Sequence, residues 1–221
     1  MKTLLCVLKV REIERCIASY EAAPLNKVYI QGYKEVEIES LGVHEYVVEK
    51  AKRAGYTHLM MISDDATINN HAVTEVLRLT KQYGVGSAFC RLDYTSEWTN
   101  LASSPPTAAR PRRMEDYNLI KYKKLPDGDF QTYFTGFALT CMPIELWEKY
   151  PFQCFYDGSP QHNGSCSDYR LSVRLNADKV PIWTNRSTEV IHEKEKINTH
   201  QGQTLLIGPQ YREIIWQDYE G

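Results

Sequence analysis

Two adjacent carboxylates close an apolar run at residues 57–68, THLMMISDDATI. Such a run reads as a buried strand, and in parallel sheets ligands bind just outside the C-terminal strand ends, so Asp64 and Asp65 stand where a site is expected. A hard divalent cation takes oxygen ligands and keeps substrate phosphates in its shell, so one or two carboxylates can hold it against a diphosphate. The plainer reading is that the pair only starts a turn. Three later features add to the chemical one. Tyr133-Phe-Thr-Gly-Phe-Ala-Leu-Thr sets Gly136 in a bend flanked by aromatic residues, where a missing Cβ lets the backbone approach a ligand. Ser167-Asp168 opens a predicted helix, whose dipole favours an ionised Asp168. Val190-Ile-His192 puts an imidazole at a strand end, where it could complete a metal shell with Asp65. Each has an ordinary structural reading: a helix-start acid, a hydrogen-bonded histidine, a glycine at a strand bulge. Their order along one chain favours chemistry.

The elements that must position these residues alternate between short β-rich runs and helical periodicity, the pattern of an α/β fold with parallel strands. Residues 4–10 read as the first strand. Ile13, Cys16, Ile17 and Tyr20 fall on one helical face that ends near Pro24. Residues 27–30 form a second strand, and Val43, Val47, Ala51 and Ala54 mark a second helix with Gly55 as its cap. After the strand at 58–62, Asn69 or Asn70 caps a helix carrying Val73, Val76 and Leu77, and Gly84 ends it before a strand at 85–92. The stretch 95–124 is rich in Ser, Pro, Arg and Lys without periodicity, and reads as a long loop. Beyond it, structure resumes at 130–140, Pro143 opens a short helix, and Ser167 caps a helix bearing Leu171 and Leu175. Two short strands at 180–183 and 188–191 follow, and the tail after His192 reads as a polar, mobile arm.

In this order and approximate spacing, the features resemble the GT-A glycosyltransferases, particularly the family 2-like group, over most of residues 3–192. There an apolar strand delivers a DxD motif, a glycine-containing segment follows, then an acidic pair opening a helix, and last a histidine. The resemblance implies a Rossmann-like, three-layer α/β fold of the nucleotide-diphospho-sugar transferase type, with a mixed, mostly parallel central sheet. It also implies one catalytic domain over 1–192, with a nucleotide-binding half at 1–95, an acceptor-side half at 125–192 and a C-terminal arm at 193–221. Asp65 matches the last DxD aspartate, a ligand of Mn2+ or Mg2+, and His192 the late metal-ligating histidine. Ser63 stands where the first aspartate normally lies, leaving Ser63 or Asp64 to handle the ribose. Asp168 matches the second acid of the Glu-Asp pair, the general base, while Ser167 replaces the glutamate. The donor nucleotide would lie against Leu8, Lys9 and Arg11 at the end of the first strand, Gln31 at the end of the second, and Gly136. The implied reaction is an inverting transfer from a UDP- or GDP-sugar to a glycan, glycoprotein or other hydroxyl acceptor. Arg110, Arg112 or Arg113 would assist if their loop closes over the phosphates.

Composition narrows the alternatives. The 221 residues are 43% hydrophobic and 24% charged, the balance of a globular protein, and a net charge of −2 lacks the basic footprint of a nucleic-acid binder. Six scattered cysteines show no zinc spacing and read as small buried apolar residues. Lys9, Arg11 and Glu12 cut the first apolar run short of a signal peptide, and no stretch is long enough to span a membrane, so a cytoplasmic protein (host cytoplasm, if viral) is expected. A sugar-nucleotide pyrophosphorylase would carry a Gly-rich basic loop after its first strand, and a haloacid-dehalogenase-like phosphatase an Asp motif on it. Neither feature is present, nor is the His-Glu-x-x-His of a zinc peptidase or the Gln-x-x-Arg-Trp of a processive synthase. The serines at 63 and 167 favour the alternative from another class: a non-catalytic GT-A-like domain that binds a nucleotide or glycan without turnover.

Overall fold

The computed structural model describes residues 1–92, 96–105, 118–154, 166–193 and 204–219. The chain opens with β1 (Thr3–Lys9), β2 (Arg11–Glu12), α1 (Glu14–Glu21), β3 (Asn26–Gln31), α2 (Glu35–Ser40) and α3 (Val43–Arg53). It continues through β4 (His58–Ser63), β5 (Ala66–Thr67), α4 (Asn70–Tyr83), β6 (Gly86–Ser87) and β7 (Phe89–Cys90). Next come β8 (Trp98–Ala102), β9 (Leu119–Lys121), β10 (Phe130–Thr132), β11 (Thr140–Pro143) and α5 (Ile144–Lys149). The last elements are α6 (Ser167–Ala177), β12 (Ile182–Thr184), β13 (Glu189–His192), β14 (Thr204–Leu205) and β15 (Glu213–Gln217).

Strand β1 shows why the fold has three layers. Its residues Thr3 to Leu8 are all buried, so both faces of the sheet are covered. Because side chains alternate along a strand, Leu4, Cys6 and Leu8 join one core while Leu5 and Val7 join the other. The first core packs against Ile38 of α2, Val43, Val47 and Val48 of α3, Trp147 of α5, and Leu171 and Leu175 of α6. The second packs against Cys16 and Tyr20 of α1 and Val73 and Val76 of α4. Each fully buried valine or leucine contributes on the order of 1.5–3 kcal/mol. Asn69 caps α4 by accepting from the Ala72 amide (2.8 Å), and α3 closes with paired turns from Gly55 N–H to Lys52 O and from Tyr56 N–H to Ala51 O.

The eight-stranded sheet runs β10-β12-β6-β11-β4-β1-β3-β15. Strands β3, β1 and β4 are parallel neighbours, as are β6 and β12. The other four neighbouring pairs are antiparallel, so the sheet is mixed, with β12, β6, β4, β1 and β3 running one way and β10, β11 and β15 the other. Strand β11 inserts between β4 and β6 against their direction, and β10 and β15 close the two edges in the opposite sense to their neighbours.

Three expectations change. The strand expected at 85–92 is two pieces: β6 lies in the main sheet, whereas β7 joins β13 and β5 in a small second sheet. The break falls at Ala88, whose amide turns to the Leu139 carbonyl (2.8 Å). Within 95–124, read as irregular, β8 pairs with β9, and the Thr99 hydroxyl donates to the Ile120 carbonyl (2.8 Å). Arg110, Arg112 and Arg113 lie outside the described residues. The segment read as a polar arm completes the sheet edge: Ile214, Ile215 and Trp216 of β15 pair with Ile30, Tyr29 and Val28. Gly32 permits this approach, since at φ +82° a Cβ there would meet the Tyr211 carbonyl carbon at 2.5 Å. Among the described residues no helix is long and apolar enough to cross a membrane.

The turn after β4 is held from beneath by Tyr20, only 1% exposed, whose hydroxyl lies 2.9 Å from the Ser63 carbonyl and 2.7 Å from that of Ala66. Tyr20→Phe leaves these buried carbonyls without their donor, and is expected to lower stability by about 1–2 kcal/mol in a urea titration. An unchanged midpoint would show that this support is not needed.

Candidate functional site

A cavity of about 430 Å³ opens at the C-terminal ends of β1 and β4, with Arg11, Asp65, Gly136, Asp168 and His192 in its wall. The two adjacent aspartates diverge there. Asp64 turns inward, 3% exposed, and its Oδ2 accepts the amides of Val10 (2.9 Å) and Arg11 (2.5 Å) while the Arg11 guanidinium reaches Oδ1 at 2.6 Å. Burial pushes its carboxyl up from the usual value, against the opposing pull of Arg11. Its atoms are spent on fixing the end of β1 beside the end of β4.

Asp65 faces the cavity. Its Oδ1 accepts from the Ser63 hydroxyl (2.7 Å), and its Oδ2 lies 3.1 Å from Arg11 Nη2 and 3.2 Å from His192 Nε2. Burial alone would raise its carboxyl, but His192, Arg11 and Ser63 together hold it well below the usual range. Strand register supplies His192: it pairs with Ala66 across β13 and β5, and the next amide, of Glu193, donates to the Asp65 carbonyl (2.8 Å). His192 Nδ1 lies 3.1 Å from the Leu92 carbonyl, which can only accept, so this nitrogen carries hydrogen. Nε2 then meets Asp65 Oδ2 either through a second ring proton or across a cation held between them.

Asp168 enters from the far wall. Cys166, at φ +64°, turns the chain into α6, whose first residue is Ser167. The cap position therefore belongs to Cys166, not to Ser167. Asp168 Oδ1 accepts from the Tyr169 amide (2.7 Å), and its carboxyl is pushed up to about 7, first by burial and then by the negative charge of Glu35, with Asp65 adding to both. Glu35 lines the same cavity, and its Oε2 lies 3.4 Å from the Ser167 amide. The bend carrying Gly136 is tied to α6 through Ser172, which receives the Thr135 amide (3.0 Å) and donates to the Asp168 carbonyl (2.9 Å).

Leu8, Arg11, Ser63, Asp64, Asp65, Gly136, Asp168 and His192 thus all border one cavity. Lys9 and Gln31 do not. Lys9, next to Leu8 on an alternating strand, points away to Glu12 (3.3 Å) and lies over the Tyr29 ring. Gln31 is covered by the C-terminal segment and reaches the Tyr211 carbonyl (3.4 Å). Tyr33, Glu35 and Asn100 line the cavity and carried no periodic or motif signal.

Among the described residues there is no group of three or more His, Cys, Asp or Glu side chains that could hold a metal ion. The pair Asp65 and His192 nevertheless suits an open site. One carboxylate oxygen and one imidazole nitrogen face each other across 3.2 Å, beside space for a phosphate and water to fill the remaining positions. Four carboxylates border this cavity (Glu35, Asp64, Asp65 and Asp168) against Arg11 and His192, a balance that favours an additional cation when an anionic ligand enters.

No family model matches the sequence, and no curated protein matches it. Among solved structures, the chain is similar to the crystal structure of A197 from STIV, with 13% sequence identity and a TM-score of 0.55. The match covers 99% of this chain and 95% of that one. At this identity the likeness is one of fold, and it extends over the whole mixed α/β architecture rather than over a nucleotide-binding half alone.

Proposed function

We propose that this protein is a metal-dependent glycosyltransferase of the GT-A type, moving a sugar from a UDP- or GDP-sugar to a hydroxyl acceptor with inversion. The observation that carries the reading is the meeting of Asp65, His192 and Asp168, distant in sequence, around one cavity at the ends of parallel strands. Strand ends of this kind are where α/β sheets bind ligands. In the reaction, the acceptor oxygen forms a bond to the anomeric carbon while the bond from that carbon to the diphosphate oxygen breaks. The leaving diphosphate keeps the electron pair, and the acceptor proton passes to Asp168. Arg11, at the mouth of the cavity, stabilises the charge that builds on the phosphates. Asp65 and His192 would hold Mn2+ or Mg2+, which supplies Lewis-acid stabilisation of the same charge when bound. Ser63 holds Asp65 in place, which leaves the ribose to other donors in the cavity wall.

Incubation with UDP-glucose, UDP-galactose, UDP-N-acetylglucosamine, GDP-mannose and dTDP-glucose in the presence of manganese should release nucleoside diphosphate from at least one of them. Chelation with EDTA should suppress the release, and Asp168→Asn should lower it by about 10²–10⁴-fold. Failure of every donor overturns the proposal in favour of a binding domain, and full activity of Asp168→Asn removes Asp168 as the base.

A base whose carboxyl sits at about 7 makes the rate climb as pH rises through that value, because only the ionised form takes a proton. Glu35→Gln removes a neighbouring negative charge, so the acidic limb of the rate profile should move to lower pH. A profile identical to wild type would remove Glu35 from the account.

Stability supplies a check that needs no substrate. The folded Asp168 carboxyl is raised above its unfolded value, so the folded state binds more protons between these values and loses stability as pH rises through that window. Asp168→Asn should therefore be more stable than wild type above about pH 7, with the advantage gone near pH 4. Thermal melts across this range would show it. A variant less stable than wild type at alkaline pH contradicts the burial of an ionised base.

A further inference from the structure

Asn100, on β8, is 6% exposed and lines the cavity. Its Oδ1 accepts the Cys90 amide (2.9 Å). A backbone N–H can bond only to the oxygen of the side-chain amide, so the orientation of the group is settled and Nδ2 faces away from Cys90. Nδ2 has no hydrogen-bond partner among the described residues. It points at Gly136. A Cβ built there would lie 3.0 Å from Asn100 Nδ2 and 3.6 Å from Asp168 Oδ2.

The open face of Gly136 is therefore bordered by both a hydrogen-bond donor and a carboxylate acceptor. We propose that Asn100, Gly136 and Asp168 form the seat of the acceptor hydroxyl, and that Asn100 is a substrate-binding residue for it. A hydroxyl oxygen has lone pairs for the Asn100 N–H and one proton to give to Asp168, so both contacts are met at once. An ammonium group has only donors and would face the Asn100 N–H without an acceptor, so the seat selects alcohols, sugar hydroxyls and water over amines. As the new bond to the anomeric carbon forms, the hydroxyl proton moves to Asp168 Oδ2 while Asn100 keeps the oxygen in line. Gly136 is required because any larger residue occupies the seat.

This inference rests on the glycosyltransferase reading, and water provides the probe because it is itself a hydroxyl acceptor. The experiment compares wild type, Asn100→Asp and Gly136→Ala in hydrolysis of whichever sugar nucleotide in the panel above the wild type cleaves. Rates are taken on the alkaline plateau, where protonation of Asp168 no longer enters, and donor affinity is measured by calorimetry. Asn100→Asp keeps the oxygen that receives the Cys90 amide but has no hydrogen to give, so kcat should fall about tenfold or more with donor Kd changed by less than about twofold. Gly136→Ala should also lose hydrolysis, since its methyl group crowds Asn100 Nδ2. If wild type hydrolyses no donor, the glycosyltransferase reading fails and this inference falls with it. If wild type is active and Asn100→Asp hydrolyses at the wild-type rate, only the role of Asn100 is overturned. Should Asn100→Asp fail to fold, Gly136→Ala decides, and a wild-type rate there overturns the seat.

Discussion

A single buried carboxylate organises the cavity. Asp64 gathers two consecutive main-chain amides and a guanidinium, so that the chain leaving β1 must turn across the end of β4. Hydrogen bonds to a charged group are each worth roughly 1.5–3 kcal/mol net, whereas the same carboxylate buried alone would destabilise the fold by several kcal/mol. The arrangement is therefore all-or-none: without Arg11 and the turn amides, Asp64 could not stay buried and ionised. Its neighbour inherits the result. With Asp64 fixed inward, Asp65 is turned outward, and Arg11, held by the first, lies within ion-pair distance of the second. Two adjacent residues of the same type thus stand in different surroundings, one tied into the turn and one facing the cavity.

The cavity this produces is electrostatically unbalanced. Carboxylates enter from the end of β4, from α2 and from α6, and the groups that answer them, the Arg11 guanidinium and the His192 imidazole, gather at the Asp65 end. Asp168 at the other end is buried and feels the negative charges of Glu35 and Asp65, which leaves its proton affinity high. In the proposed reaction one wall would serve the anionic phosphates and the other the proton abstraction, with Asp65 placed by the end of β4 and Asp168 by the first turn of α6. Pairs of ionisable groups pushed in opposite directions within one pocket are the pattern expected of divided acid and base roles.

Much of this was legible in the residues. Asp65, Asp168 and His192 are legible because each stands at one end of an element with an apolar pattern, Asp65 and His192 where a strand closes and Asp168 where a helix opens. Lys9 and Gln31 were placed by the same logic and failed for two reasons. Alternation along β1 turns Lys9 away from the face that Leu8 shares, and Gln31 is covered by a strand from the far end of the chain. That strand was missed because Glu-Ile-Ile-Trp-Gln is short and stands among polar residues. Glu35 and Asn100 gave no signal for a related reason: a glutamate in a first helical turn and an asparagine in a Ser/Thr-rich stretch are common for local reasons, and only tertiary packing brings them to the cavity. The antiparallel insertion of β11 is likewise a fact of topology, which periodicity does not encode.

The position of β15 bears on how the molecule is made. Strand β3 comes early in this sequence, yet its outer edge is paired by β15, which is made only after every other strand described above. Until then, a row of unsatisfied amides and carbonyls next to apolar side chains stands open, the kind of edge that recruits other strands. During synthesis the nascent chain must be shielded there or must delay its collapse, and proteolytic loss of β15 would re-create the same adhesive border.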